Sequence, residues 1–208
     1  MEISCGIVGL PNSGKSTLFN VLLSEKKAMT AVTPFTTIAH NEGIVEDVKF
    51  IDIAGLVRGS NMGQGFGNAF LEKIRGVDVL LHVVRAFYNN IVGHPHKIHE
   101  PGSIDQVIDD IEVVNEELRI AGVYKPVIYV LNFDENKILS SVINEYLSRV
   151  EHKFNKPVIG LSAKLEEELI GLSDEERNKK FEELKITKTA LERIMEKTSL
   201  LISENQLY

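Results

Sequence analysis

Gly9-Leu10-Pro11-Asn12-Ser13-Gly14-Lys15-Ser16 follows an apolar run, Ile3–Val8, and opens a helical pattern over 15–23. A strand, a turn bounded by two glycines and a helix is the setting in which G-x-x-x-x-G-K-[ST] cradles phosphate. Gly9 and Gly14 let the backbone fold tightly, so that its N–H groups converge on phosphate oxygens. Lys15 supplies a point charge for the β- and γ-phosphates, Ser16 a hydroxyl for Mg²⁺, and the following helix its positive end. Average composition produces this pattern by chance in about 1% of chains of this length. Gly9, Asn12, Ser13, Gly14, Lys15, Ser16 and Thr17 are therefore the phosphate-side nucleotide candidates, with Lys15 also a catalytic one.

Downstream, Asp52-Ile53-Ala54-Gly55 closes a second apolar run over 48–53. D-x-x-G at a strand end behind a phosphate loop holds Mg²⁺ through water with its aspartate, while Gly55 N–H meets the γ-phosphate. The stretch 30–41 is polar and carries Thr33-Pro34-Phe35-Thr36-Thr37. A loop threonine between these motifs completes the Mg²⁺ shell, and Thr36 and Thr37 both qualify. Four glycines within Gly59-Ser60-Asn61-Met62-Gly63-Gln64-Gly65-Phe66-Gly67 mark a segment able to order around a nucleotide. Leu56 stands where Ras-like enzymes place a water-orienting glutamine, so hydrolysis is expected to be slow or to use another group. His94, His96 and His99 are the nearby candidates.

The base side reads from Asn132-Phe133-Asp134-Glu135, after the apolar run 127–131. GTPases carry N-K-x-D there, whose aspartate accepts from guanine N1–H and the exocyclic amino group. Here Phe133 replaces the lysine and Glu135 the aspartate, which weakens guanine reading. Ser162-Ala163-Lys164 follows Val158–Leu161 as a second base loop, with a helix-capping Ser162 as the plainer alternative. Asn132, Phe133, Glu135, Ser162 and Ala163 complete the nucleotide set.

Near-continuously apolar runs at Ile3–Val8, 48–53, 79–84, 127–131 and Val158–Leu161 predict strands buried on both faces. Helical patterns at 15–23, Asn68–Arg75, 104–118 and 138–154 alternate with them. The expected fold is an α/β three-layer sandwich around a mostly parallel sheet, with a helical C-terminal tail. Residues 1–164 form the expected nucleotide-binding domain and 165–208 its helical extension. In that extension Ser173 and Glu176 spell a capping box, and Thr189 caps a final helix.

With 208 residues, 43% hydrophobic and 25% charged, the chain is long enough to bury a core and is not a disordered or collagen-like composition. Its net charge of −7 argues against direct DNA binding. Cys5 is the single cysteine, which excludes an internal disulfide and a Cys-rich zinc site. The first residues carry no charged leader, and the apolar run at 77–84 is interrupted by Asp78 and His82. No membrane association is expected, and a reducing, cytoplasmic location is.

Taken together, GIVGLPNSGKSTLFN (6–20), PFTTIAHN (34–41), DIAGLVRGSNMGQGFGNAFL (52–71), HVVRAF (82–87), DIEVVNEEL (110–118) and NFDE (132–135) resemble the YchF/Obg-like ATPases, P-loop proteins of the translation-factor class. The resemblance implies a P-loop NTPase that accepts ATP, often in preference to GTP, and selects Thr37 as the Mg²⁺ threonine. It implies that His99 assists hydrolysis and that Asn12 can coordinate a monovalent cation, K⁺. It implies a ribosome partner, or its large subunit. A switch that binds GTP and docks a partner with negligible turnover is the second reading. Two parts common in the family, a coiled coil after 118 and a C-terminal TGS domain, are expected to be missing from this sequence.

Overall fold

The structure is a computed structural model and describes residues 3–29, 42–53, 68–88 and 99–205. Its strands are β1 (Ile3–Val8), β2 (Glu42–Val45), β3 (Val48–Asp52), β4 (Val79–Arg85), β5 (Val127–Asn132) and β6 (Val158–Leu161). Its helices are α1 (Lys15–Met29), α2 (Asn68–Arg75), α3 (Ile104–Ile120), α4 (Glu135–Ile138), α5 (Val142–Phe154), α6 (Ala163–Ile170), α7 (Asp174–Leu184) and α8 (Ala190–Asn205). The strands form one sheet in the order β2-β3-β1-β4-β5-β6, parallel except for the β2–β3 pair.

Every residue of β4 and β5 is buried, as helices on both faces require. Side chains alternate across the sheet. Val79, Leu81 and Val83 of β4 and Ile128 and Val130 of β5 meet Leu18 and Leu22 of α1, Ala163 of α6 and Leu191 and Ile194 of α8. Leu80, Val84, Tyr129 and Leu131 meet the other layer, where α2 contributes Ile74, α3 Val107, Ile111 and Val114, and α5 Tyr146 and Val150. Each such aliphatic side chain contributes about 1.5–3 kcal/mol by leaving water. α8 thus packs on the same layer as α1, and position 164 falls in the first turn of α6. α7 buries no residue. It is held locally by the capping box of Ser173 and Glu176.

Three local readings change. The helix expected over 138–154 is two helices. Asp134 caps α4 by accepting from Lys137 N at 2.8 Å, and Ser140 Oγ donates back to the Lys137 carbonyl at 2.7 Å. The chain therefore leaves the helical path at Leu139 and resumes at Val142. α1 runs on to Met29. β2 was not legible, being an antiparallel edge strand of four residues that turns into β3 at Glu46, with φ 53°.

Among the described residues no helix is long and apolar enough to cross a membrane.

Candidate functional site

The phosphate loop leaves β1 and enters α1 through backbone angles that favour glycine. Gly9 has φ 149° and Gly14 φ 96°. A Cβ on Gly9 would run into the Val83 carbonyl oxygen of β4, and one on Gly14 into Asn132 Nδ2. Asn12 adopts φ 62°, a left-handed angle that asparagine tolerates better than most residues. Lys15, only 8% exposed, curls back so that Nζ donates to the Leu10 carbonyl at 2.8 Å. Burial lowers its pKa, and the Asp52 carboxylate opposes that shift. Ser13 is buried, and its Oγ has no hydrogen-bond partner among the described residues.

The parallel register of β1 and β3 sets Asp52 opposite Ile7 and so brings its carboxylate to the start of α1. Ser16 Oγ donates to Asp52 Oδ2 at 2.9 Å. A hydroxyl beside a carboxylate is a sparse, all-oxygen donor set. It fits Mg²⁺, which takes one or two protein oxygens and completes its shell with phosphates and water. No cluster of three or more His, Cys, Asp or Glu side chains suited to a metal occurs among the described residues.

At the base side, Asn132 joins three segments. Its Nδ2 donates to the Ser13 carbonyl at 3.0 Å, and its Oδ1 accepts from Ala163 N at 3.0 Å. Beside it opens a cleft of about 580 Å³ whose walls include Gly14, Thr17, Tyr88, Asn132, Glu135 and Lys164. Phe133 borders the cleft, but its side chain belongs to the core. It is 2% exposed and meets Tyr146 edge-on, with centroids 5.6 Å apart. Ser162 is the N-cap of α6 and accepts from Leu165 N at 3.4 Å. Glu135 pairs with Lys164 at 2.6 Å across the cleft mouth.

His99 is half-buried at the foot of α3, where Nε2 lies 3.1 Å from Asp109 Oδ2. Thr36, Thr37, Gly55, Leu56, His94 and His96 lie outside the described residues.

Several contributors went unread in the sequence. Gln106 donates to the Arg85 carbonyl at 3.0 Å and to the buried Asp110 carboxylate, and accepts from Gly102 N at 2.7 Å. Lys137 Nζ and Tyr146 OH both donate to the Gly102 carbonyl, and the Lys137 ammonium sits 4.6 Å from the centre of the Tyr146 ring. This network fastens Gly102, at φ 80°, against Phe87, whose carbonyl carbon would be 2.9 Å from any added Cβ. Local patterning carries no trace of it, because its partners come from β4, α3, α4 and α5. Under the phosphate loop, His82 of β4 is fully buried against Tyr129, with ring centroids 5.6 Å apart. Among the described residues neither of its ring nitrogens has a hydrogen-bond partner. Burial, and secondarily Lys15, push its pKa down to about 3.

A family model described as "50S ribosome-binding GTPase" matches residues 4–133. The ribosome-binding ATPase YchF of Bacillus subtilis (strain 168) is 30% identical over 287 aligned positions, covering 97% of this chain and 76% of that protein. Its namesake from Escherichia coli O157:H7 is 44% identical over 142 positions, covering 58% of this chain and 37% of the relative. Much of such relatives therefore lies outside the match. Among solved structures, the Schizosaccharomyces pombe YchF GTPase superposes with a TM-score of 0.66 at 22% identity, covering 96% of this chain and 75% of that one. The FeoB G-domain of Methanococcus jannaschii gives 0.50 at 19%, covering 88% and 96%. These two likenesses are of fold.

Proposed function

Since the chain belongs to the 50S ribosome-binding GTPase family, and within it to the YchF proteins, we propose that it is a Mg²⁺-dependent nucleoside triphosphatase that works on ATP as a switch for a ribosome-linked process. The observation that carries this reading is a buried Lys15 beside the Ser16–Asp52 contact, which joins the start of α1 to the end of β3. A lysine folded back onto the Leu10 carbonyl exchanges that weak partner for phosphate oxygens when a nucleotide enters. Mg²⁺, when bound, neutralises the β- and γ-phosphates; Ser16, Asp52 and Thr37 are the residues that would hold it. Asn132 keeps the loop in shape from the base side, and His99 is the residue assigned to assist the attacking water. Asn12 is the candidate for holding K⁺ beside the phosphates.

Calorimetric titration with ATP and GTP, with and without Mg²⁺, tests the binding step. ATP should bind only weakly without Mg²⁺, and Lys15→Ala should lose at least about tenfold in affinity. Equal ATP affinity in Lys15→Ala would refute the phosphate-loop reading. Phosphate release measured with and without K⁺, in the wild type and in His99→Ala, tests hydrolysis. Normal turnover in His99→Ala would remove the histidine from the reaction.

A further inference from the structure

Lys164 stands in the first turn of α6, immediately after Ala163, whose N–H is pinned by Asn132. Its backbone is thereby fixed relative to the phosphate loop. A cation is disfavoured at a helix N-terminus. Lys164 nevertheless points its ammonium at two carboxylates, Glu135 Oε1 at 2.6 Å and Glu168 Oε1 at 3.6 Å. The first of these spans from one base-side loop to the other across the mouth of the cleft.

The guanine grip of N-K-x-D proteins uses a carboxylate free to accept from two donors at once, the ring N1–H and the exocyclic amino group. In this chain one oxygen of Glu135 is committed to Lys164. What the pair offers the purine edge is a single free acceptor oxygen beside an ammonium donor. Adenine presents the complement, one amino donor beside the acceptor N1. Guanine brings two adjacent donors, one of which is left without an acceptor or set against the ammonium, and a site that leaves a donor unpaired discriminates against the base that carries it.

We propose that Lys164 is a specificity-determining residue, which turns the cleft toward adenine by occupying one oxygen of Glu135. The proposal rests on the reading of the cleft as a nucleotide site. Its test is calorimetric affinity for ATP and GTP with Mg²⁺, in the wild type, Lys164→Ala, Lys164→Arg, Glu135→Ala and the double Ala variant. Lys164 is 72% exposed, so its variants should fold, which thermal melting verifies. Lys164→Ala frees Glu135, and the preference for ATP over GTP should shrink about two- to fivefold, the range of an exposed ion pair. Lys164→Arg should keep the preference, and in the Glu135→Ala background removing Lys164 should not change it. An unchanged ratio in Lys164→Ala, or equal losses for both nucleotides, overturns the proposal. A wild type that binds neither nucleotide fails the nucleotide-site reading itself.

Discussion

Asn132 and Ser13 are 119 positions apart in sequence and are joined by a buried 3.0 Å hydrogen bond from the Asn132 side chain to the Ser13 carbonyl. Because the same side chain also accepts from Ala163 N, its removal leaves two buried backbone groups unpaired at once. Each such loss costs about 1–3 kcal/mol. Asn132→Ala should therefore lower the urea midpoint by the equivalent of about 2–6 kcal/mol and weaken nucleotide binding with it. An unchanged midpoint would show that water replaces both contacts.

Gly14→Ala meets the same asparagine from the other side. The added methyl would overlap Asn132 Nδ2, at a backbone angle of φ 96° that L-residues avoid. The expected loss is about 1–3 kcal/mol, and nucleotide affinity should fall more than in a Gly171→Ala control, where the nearest atom is 3.9 Å away. Equal behaviour of the two variants would contradict the packing.

His82 gives the protein an acid-side stability slope. Its folded pKa of about 3 lies below the ordinary 6.5, through burial first and Lys15 second. Between those values the unfolded chain binds a proton that the folded chain excludes. Its contribution is intact above 6.5 and is lost as pH falls, by up to about 1.4 kcal/mol per pH unit. Denaturant midpoints measured from pH 7 to pH 5 should drop more steeply in the wild type than in His82→Phe. Parallel slopes would mean the ring is hydrated or protonated in place.

Cys5 should be chemically silent in the native protein. Burial pushes its pKa up to about 12 and leaves no accessible thiolate. Alkylation followed by mass spectrometry should label it only at the rate of unfolding, and rapidly in denaturant. Fast labelling under native conditions would show that the sheet opens at β1, between β3 and β4.

Ser173→Ala removes one half of the capping box that begins α7. The cost is about 1 kcal/mol. Because α7 buries nothing, it should appear as faster hydrogen exchange confined to that helix, with the global midpoint barely moved. A full-size drop in the global midpoint would tie α7 to the cooperative core.

The strands were the most legible part of the chain. β1, β4 and β5 are apolar along nearly their whole length because both of their faces are covered, and such runs need no partner to be recognised. β2 escaped because an edge strand of four residues, with Gly43 packed against Leu23, has too little pattern to stand out. The break between α4 and α5 depends on side chains bonding back to the Lys137 segment, which periodicity does not encode. At the candidate site, the phosphate loop could be read from spacing alone. The pairing of Lys164 with Glu135 and the roles of Gln106 and Lys137 could not, since each acts on residues that the fold brings from other elements.

The contact of Gly102 with Phe87 makes the chain come back to the point from which it left the sheet. Strand β4 and helix α3 are therefore registered by that junction and not by the number of residues spanning it. Insertions or deletions there change the closure entropy only logarithmically with length. The places of Asn132, Glu135 and Lys164 are thus set by contacts made across the fold, into which the length of that connection does not enter.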